Sequence, residues 1–469
     1  MGGFVESTED GQKTFGEGGL ERSFGSPRSE WKFEDLARLF HTGQARGLSL
    51  MHVGGDGWLK RLDFMPHDER RLRRVCEAGE RADGSSLFPG SGIPTGSSDI
   101  VLRPRIESGF LDPFSAVPTL VLMCSHAGPT GDPLPQSPDT IVRRAMDRLR
   151  EQTGIELLAL GEVEYFLGKR RDESDIYGAD DRGYHSVSPF VFGEPLRRRA
   201  LELLVDLGLN VKYGHSEVGY IEAREPDGVI WEQHEIELGL DTLPRAAEAI
   251  LLTQWVLRNL AHQNGMRCST APIMAEGHAG NGLHFHLAPA RDGALVPVRE
   301  PDGSLSDPAR WLIGGLVQMG AALMAFGNRA HGSLTRLTQA KEAPNRITWG
   351  EYDRSALIRL PAQARDPAGR PVTPPTIEFR LPDGSVFPHL LLAGTALAAL
   401  KGASTEGLDD LLDTTSATSV KEGRSRATSV PWSFREVAAA VAEHREALEA
   451  EGVFPAALLD RLVSDLAHI

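Results

Sequence analysis

Gly161-Glu162-Val163-Glu164-Tyr165-Phe166-Leu167 sets two carboxylates two residues apart in an apolar segment rich in strand formers. Alternate side chains of a strand share a face, so Glu162 and Glu164 point the same way, roughly 6–7 Å apart. Val163 and Phe166 suit burial on a packed surface. Two like charges in a mostly buried strand repel and are costly unless a cation lies over them. A divalent metal is the natural candidate. Taken alone, Glu-x-Glu more often describes a solvent-facing edge strand with two ordinary surface glutamates.

The same signature recurs. Glu235/Glu237, His284/His286 and Glu378/Arg380 each place acidic, His or Arg side chains on one face of a strand-like segment and apolar ones on the other, and Glu217 adds a carboxylate at a strand end. Such strands together predict an antiparallel sheet with a polar, functional face. Carboxylates with a minority of imidazole favour Mg²⁺ or Mn²⁺ over zinc. The His-x-His pair by itself fits a zinc site, or two strand histidines bonded to backbone, equally well. Arginine follows in Arg336, Arg354, Arg359 and Arg380. Guanidinium forks beside a carboxylate-held metal are what phosphoryl transfer requires, since both neutralise charge that builds in the transition state. Surface salt bridging is the plainer reading, weak for Arg359 between Ile358 and Leu360 and strong for Arg346.

The elements that must position these groups are an α+β set. Residues 1 to about 28, rich in Gly, Ser and Glu, read as a disordered leader. Residues 29–130 read as a small domain: a helix near Leu36–Phe40, a hairpin over residues 48–64 around Gly54-Gly55-Asp56-Gly57, a charged helix over 69–80 and strands at 100–102 and 118–124. Residues 131–469 read as the larger domain. Its helices fall near 140–152, 195–207, 242–262, 312–326 and 388–401, with a Ser/Thr-rich mobile loop over 402–430 and a helical C-terminus broken at Gly452-Val453-Phe454-Pro455. A length of 469 residues exceeds one compact core. A net charge of −15 argues against nucleic acid and an anionic membrane as partners. Cys76, Cys124 and Cys268 share no metal spacing and fit a reducing compartment. With no secretory signal pattern and no apolar run expected to span a bilayer, the cytoplasm is the default location.

At this point the chain resembles the glutamine synthetase family, from about residue 35 to the end. The matching segments are Glu162–Leu167, His215-Ser216-Glu217-Val218, Gln233-His234-Glu235-Ile236, Gly282–His286, Glu342-Ala343-Pro344, Arg354–Pro361 and Ile377–Asp383, with Phe88-Pro89-Gly90-Ser91, Ser98–Leu102 and Leu111–Phe114 in the N-terminal part. The resemblance implies a β-grasp N-terminal domain, a catalytic domain with a curved antiparallel sheet, and a homo-oligomer of stacked rings with sites shared between subunits. It implies that Glu164, Glu217 and Glu235 hold one metal and that Glu162, His284 and Glu378 hold a second, on the phosphates of ATP. Arg354, Arg359 and Arg380 would contact phosphoryl groups or substrate carboxylate, Arg336 would bind the amino-acid carboxylate beside Gly280, and His286 would lie near the nucleotide. Glu342 sits where the family has its flap glutamate, and Asp99 matches an acidic residue that serves the incoming amine. The implied reaction phosphorylates the glutamate side chain with ATP and lets an amine or ammonia displace phosphate.

Departures cluster at the acceptor end. Pro89 stands where ammonia-using members carry an aspartate. Ala279 aligns with the asparagine that contacts glutamate, unless Asn281 substitutes after a loop shift. An insert separates Glu217 from Glu235. These changes point to a γ-glutamyl-amine ligase using an alkylamine or polyamine; an ammonia-dependent glutamine synthetase and a catalytically inactive structural relative are the alternatives. No tyrosine follows Tyr352, so adenylylation of a tyrosine in the 402–430 segment cannot operate.

Overall fold

A computed structural model describes residues 18–172, 183–223, 228–338 and 343–468. They form an α+β structure in two compact units, one of the described residues up to 141 with 201–211, the other of the described residues within 142–200 and from 212 on.

Among its described residues the first unit carries six strands: β1 Gly47–Val53, β2 Leu59–Phe64, β3 Glu80–Asp83, β4 Asp99–Pro104, β5 Phe110–Leu111 and β6 Thr119–Ala127. Their order is β2-β1-β6-β4-β3, with β5 on β6. β1 and β6 run parallel, Leu48 beside Leu120 and Leu50 beside Leu122, and the other pairs are antiparallel. Alternation puts Leu48, Leu50, Leu120, Leu122 and Cys124 into one buried cluster with Leu36 and Leu39 of the helix Phe33–His41 and with Leu72 and Val75 of the helix Glu69–Ala78. The segment read as a leader is ordered in its last part. Gly19–Phe24 is helical and buries Leu20; residues 1–17 lie outside the described residues.

The apolar rows of β1 and β6 end on two buried imidazoles. His126 Nε2 lies 3.0 Å from His52 Nδ1, and its Nδ1 lies 2.8 Å from Ser137 Oγ. Burial, and then Lys60, push His52 down to about 4, against a weaker opposing pull from Asp56. The folded state therefore resists the proton that the unfolded chain takes up near pH 6.5, so stability is full above that pH and is lost as pH falls towards 4. About 2 kcal/mol should be gone by pH 5. Urea unfolding of the wild type and of His52→Leu, each at pH 7 and pH 5, reads this contribution as the difference between the two pH slopes, which cancels the other titrating groups.

The second unit holds a ten-stranded sheet among the described residues. Its strands are β7 Glu156–Arg170, β8 Val211–Ile221, β9 Val229–Leu238, β10 Asp241–Thr242, β11 Arg267–Ser269, β12 Leu283–Arg291, β13 Ala294–Leu295, β14 Trp349–Glu351, β15 Ile358–Leu360 and β16 Ile377–Phe379. The order is β14-β15-β16-β12-β7-β9-β8, antiparallel from β15 through β9. β14 pairs parallel to β15. The helix Leu243–Gln263 lies so close to β7 that a Cβ at Gly161 would meet Ile250 Cδ1 at 2.9 Å, which accounts for glycine at the head of the Glu-x-Glu segment.

Two expectations change here. The helix Asp307–Gly327 is long and apolar enough by composition to cross a bilayer, yet most of it is buried. The helix Pro388–Ala403 comes so close to it that a Cβ at Gly315 would meet the Ala398 carbonyl, so its apolarity serves a protein core. The 402–430 segment is not one loop. It contains the helices Leu408–Thr415 and Ala417–Lys421, the second capped by Ser416 Oγ accepting from the Ser419 amide. Thr414, Thr415, Ser416 and Ser419 bond to carbonyls and amides of these helices and are not signs of mobility.

Candidate functional site

Register brings the polar pairs together. Glu164 stands opposite Glu235 and Glu162 opposite Glu237 across β7 and β9. His284 stands opposite Glu162 across β7 and β12, and His286 opposite Glu378 across β12 and β16. Because side chains alternate, one face of four adjacent strands becomes a band of carboxylate and imidazole.

His284 Nδ1 and His286 Nε2 each lie 2.9 Å from a Glu162 oxygen. Burial raises the Glu162 carboxyl, but these two imidazoles outweigh it and hold it well below the usual range. Burial, with Arg380 nearby, pushes His284 down to about 4, so it is the neutral imidazole a metal needs. Glu378 accepts from Arg380 Nη1 at 2.5 Å and from Arg359 Nη1 at 2.7 Å. Ligand atoms of Glu162, His284 and Glu378 fall within 4.8 Å of one another, as do those of Glu162, Glu237 and His286.

On the other side, His215, Glu217 and Glu235 form a third such group, with His215 Nε2 3.1 Å from Glu235 Oε1. Glu164 Oε2 accepts from the Gly282 amide at 2.8 Å and from Gln233 Nε2 at 3.0 Å. Burial and the neighbouring Glu217 nevertheless push Glu164 up to about 8. Burial, followed by Glu162, Glu164 and Glu217, pushes Glu235 well above the carboxylate range. An acidic cluster in which Glu164 and Glu235 resist ionisation lacks positive charge, and its oxygen-rich donors suit a hard divalent cation. The residues present therefore fit the metals expected of them.

Glu162, Glu164, His215, Glu217, Glu235, His284 and Glu378 line a cavity of about 370 Å³, with Arg336, Arg354, Arg359 and Arg380 among its walls. A Cβ at Gly282 would lie 2.5 Å from His284 Nε2 and 3.0 Å from Glu164 Oε1, so a side chain there would push the ends of both groups aside.

The sequence model described as the glutamine synthetase catalytic domain matches residues 135–464. The chain belongs to the glutamine synthetase family. As a member it is an ATP-dependent ligase. It is 30% identical to glutamine synthetase of Methylococcus capsulatus over 82% of this chain and 85% of that one. It is 31% identical to that of Thermus thermophilus over 68% and 70%. The glutamine synthetase of Plasmodium falciparum solved by cryo-electron microscopy superimposes with a TM-score of 0.77 at 18% identity, covering 93% of this chain and 95% of that chain. GmaS without ligand gives 0.72 at 20% identity, covering 92% and 96%. At those identities the structures speak for the glutamine synthetase fold.

The remaining expected residues divide. Gly280 and Ala279 line the cavity. Asn281 does not replace the missing asparagine: it is buried, donating to the Ala271 carbonyl and accepting from Gln233. Arg336 is buried, with Nη1 on the Leu381 carbonyl and Nη2 3.4 Å from His284 Nε2. His286 is held between Glu162 and Thr376 Oγ1 and is not among the cavity-lining residues. Asp99 is exposed at the start of β4 in the first unit and does not line the cavity. Glu342 lies outside the described residues.

His215 was not expected as a ligand. The clue lies in His215-Ser216-Glu217, which has the same two-residue spacing as His284-x-His286. Tyr184 and Tyr213 were also missed. Both line the cavity, Tyr184 stacks on His185 at 4.2 Å, and His215 lies edge-on to Tyr184 at 5.4 Å. Nothing in the local pattern around either tyrosine marks it.

Proposed function

We propose that this ligase joins the side-chain carboxylate of glutamate to an amine larger than ammonia, forming a γ-glutamyl amide through an acyl phosphate. The observation that carries the reading is the wall of Tyr184, Tyr213 and His215 in the same cavity as the carboxylates and arginines. Aromatic faces beside acidic oxygens suit an organic ammonium, whose charge meets the carboxylates and ring faces and whose carbon chain meets apolar surface. Pro89 and Ala279, where ammonia-using relatives are expected to carry Asp and Asn, support it.

In this reading Glu164, Glu217 and Glu235, joined by His215, hold one cation, and Glu162, His284 and Glu378 hold the other. The bound cations, Mg²⁺ or Mn²⁺, would supply charge neutralisation and Lewis acidity to the transferring phosphoryl group. Arg354, Arg359 and Arg380 stabilise the same negative charge, while Arg336 orients the amino-acid carboxylate next to Gly280. A carboxylate is a poor electrophile until phosphorylated, so ATP gives its γ-phosphoryl group to the glutamate side chain. The amine then attacks the acyl carbon and phosphate leaves. Glu342 takes the proton lost by the amine, Asp99 of a neighbouring copy in a ring-stacked homo-oligomer faces the acceptor, and His286 steadies the nucleotide side through Glu162. The free cysteines support a cytoplasmic setting.

Phosphate release measured with ATP and glutamate against ammonium and a panel of alkylamines and polyamines tests this. Saturation at lower concentration by an organic amine than by ammonium is expected. Saturable activity with ammonium alone would return the chain to glutamine synthesis, the reaction its curated relatives are named for.

A further inference from the structure

The back of β9 carries a buried charged relay that the chemistry above does not use. Gln233 and Glu235 line the site, so the alternate residues Glu232 and His234 face the opposite side with Ile230 and Ile236. Sequence alternation leads one to expect that side to be apolar. His234 is fully buried, and Glu232 and Arg197 nearly so. Arg197 Nη1 lies 2.7 Å from His234 Nδ1, and His234 Nε2 lies 2.8 Å from Glu232 Oε1. A guanidinium only donates, so Nδ1 accepts and the proton sits on Nε2, pointing at Glu232. The ring is a neutral bridge between a buried cation and a buried anion, neither of which is tolerated alone. Tyr165 stacks on its face at 5.8 Å.

The far end of the relay grips a loop. Glu232 accepts from the Phe192 amide at 3.0 Å and from the Gly193 amide. These residues lie a few positions after Tyr184 and His185 in the same connection to the helix Glu194–Asp206. That connection is tied to β8, where the His185 amide donates to the Ser216 carbonyl at 2.9 Å and Ser216 Oγ donates to the Ser186 carbonyl at 2.7 Å. His185 has φ 57°, a left-handed conformation costly for a residue with a side chain and kept only where surroundings enforce it.

We infer that Arg197, His234 and Glu232 are positioning residues for the amine acceptor, fixing the loop that holds Tyr184 and His185 against His215. The inference rests on the acceptor role proposed for that wall. Two substitutions probe it differently. Glu232→Gln keeps shape but turns an amide NH₂ towards a backbone or imidazole N–H. Gly193→Ala leaves every charge in place and wedges a methyl group 2.5 Å from His234 Nε2 and 2.8 Å from Glu232 Oε1. In each, the KM for the preferred acceptor should rise about tenfold, while the KM values for ATP and glutamate stay within about twofold. An unchanged acceptor KM in either folded variant overturns the inference. So does a common rise in all three KM values, which is the mark of a general scaffold. If Glu232→Gln does not fold, as judged by thermal unfolding, Gly193→Ala decides; if neither folds, the relay is a sheet scaffold and the inference fails. Should the unsubstituted enzyme use ammonium alone, the larger-amine reading falls, and the same KM comparison made with ammonium still decides the relay.

Discussion

Glu162→Ala is expected to lower ATP-dependent phosphate release by at least ~100-fold and to weaken Mn²⁺ binding, while leaving the fold intact. Among the described residues Glu162 is the one shared by two of the three candidate metal groups, and both imidazoles of β12 lie 2.9 Å from it. Its removal takes away a ligand and also frees His284 and His286 to turn. Loss of outer partners of a metal ligand alone typically costs 10–100-fold, so loss of a ligand with its orienting contacts should exceed that. Titration calorimetry with Mn²⁺ and single-turnover phosphate release separate metal loss from substrate loss. If Glu162→Ala raised only the glutamate KM and spared turnover of ATP, the assignment of Glu162 to the nucleotide side would be wrong.

The period-two alternation that singles out Glu162/Glu164, Glu235/Glu237 and His284/His286 survives as a shared face because strands keep it whatever their order. What alternation cannot supply is register. That Glu164 meets Glu235 rather than Glu237 depends on the tertiary pairing of β7 with β9, with nearly sixty residues, including the helix Glu194–Asp206 and strand β8, between them. The same limit hides His215, whose partner Glu235 lies on another strand. The relay of Arg197, His234 and Glu232 escapes for a second reason. Buried charges break the rule that the far face of a half-polar strand is apolar, and only a three-dimensional partner makes them tolerable. Composition misleads over residues 402–430, where Ser and Thr signal helix caps as readily as loops.

Divalent metal should stabilise this protein, and more so as pH rises. Glu164 is pushed up to about 8 and Glu235 well above its ordinary value, by burial and by each other's neighbours. A carboxyl whose folded pKa is raised favours folding while it is protonated. In metal-free protein that contribution is full below about pH 4.5, and it drains away as pH climbs towards 8 and the cluster is forced to ionise. A cation reverses the sign by replacing protons with a stronger charge. At a metal concentration near 100 times Kd the gain is about 2.7 kcal/mol, and because protons compete for the same oxygens, Kd itself falls as pH rises. Thermal unfolding with EDTA and with Mn²⁺ or Mg²⁺, at pH 6 and pH 8.5, should therefore show a larger rise in Tm at the higher pH. Glu164→Gln supplies the internal check, since it removes one repelling charge while keeping an acceptor for the Gly282 amide. It should raise the metal-free Tm at pH 8.5 and shrink the gain from metal. A Tm that ignores metal at both pH values would mean that the carboxylate band on β7, β8 and β9 is neutralised by protons alone, and that no cation belongs there.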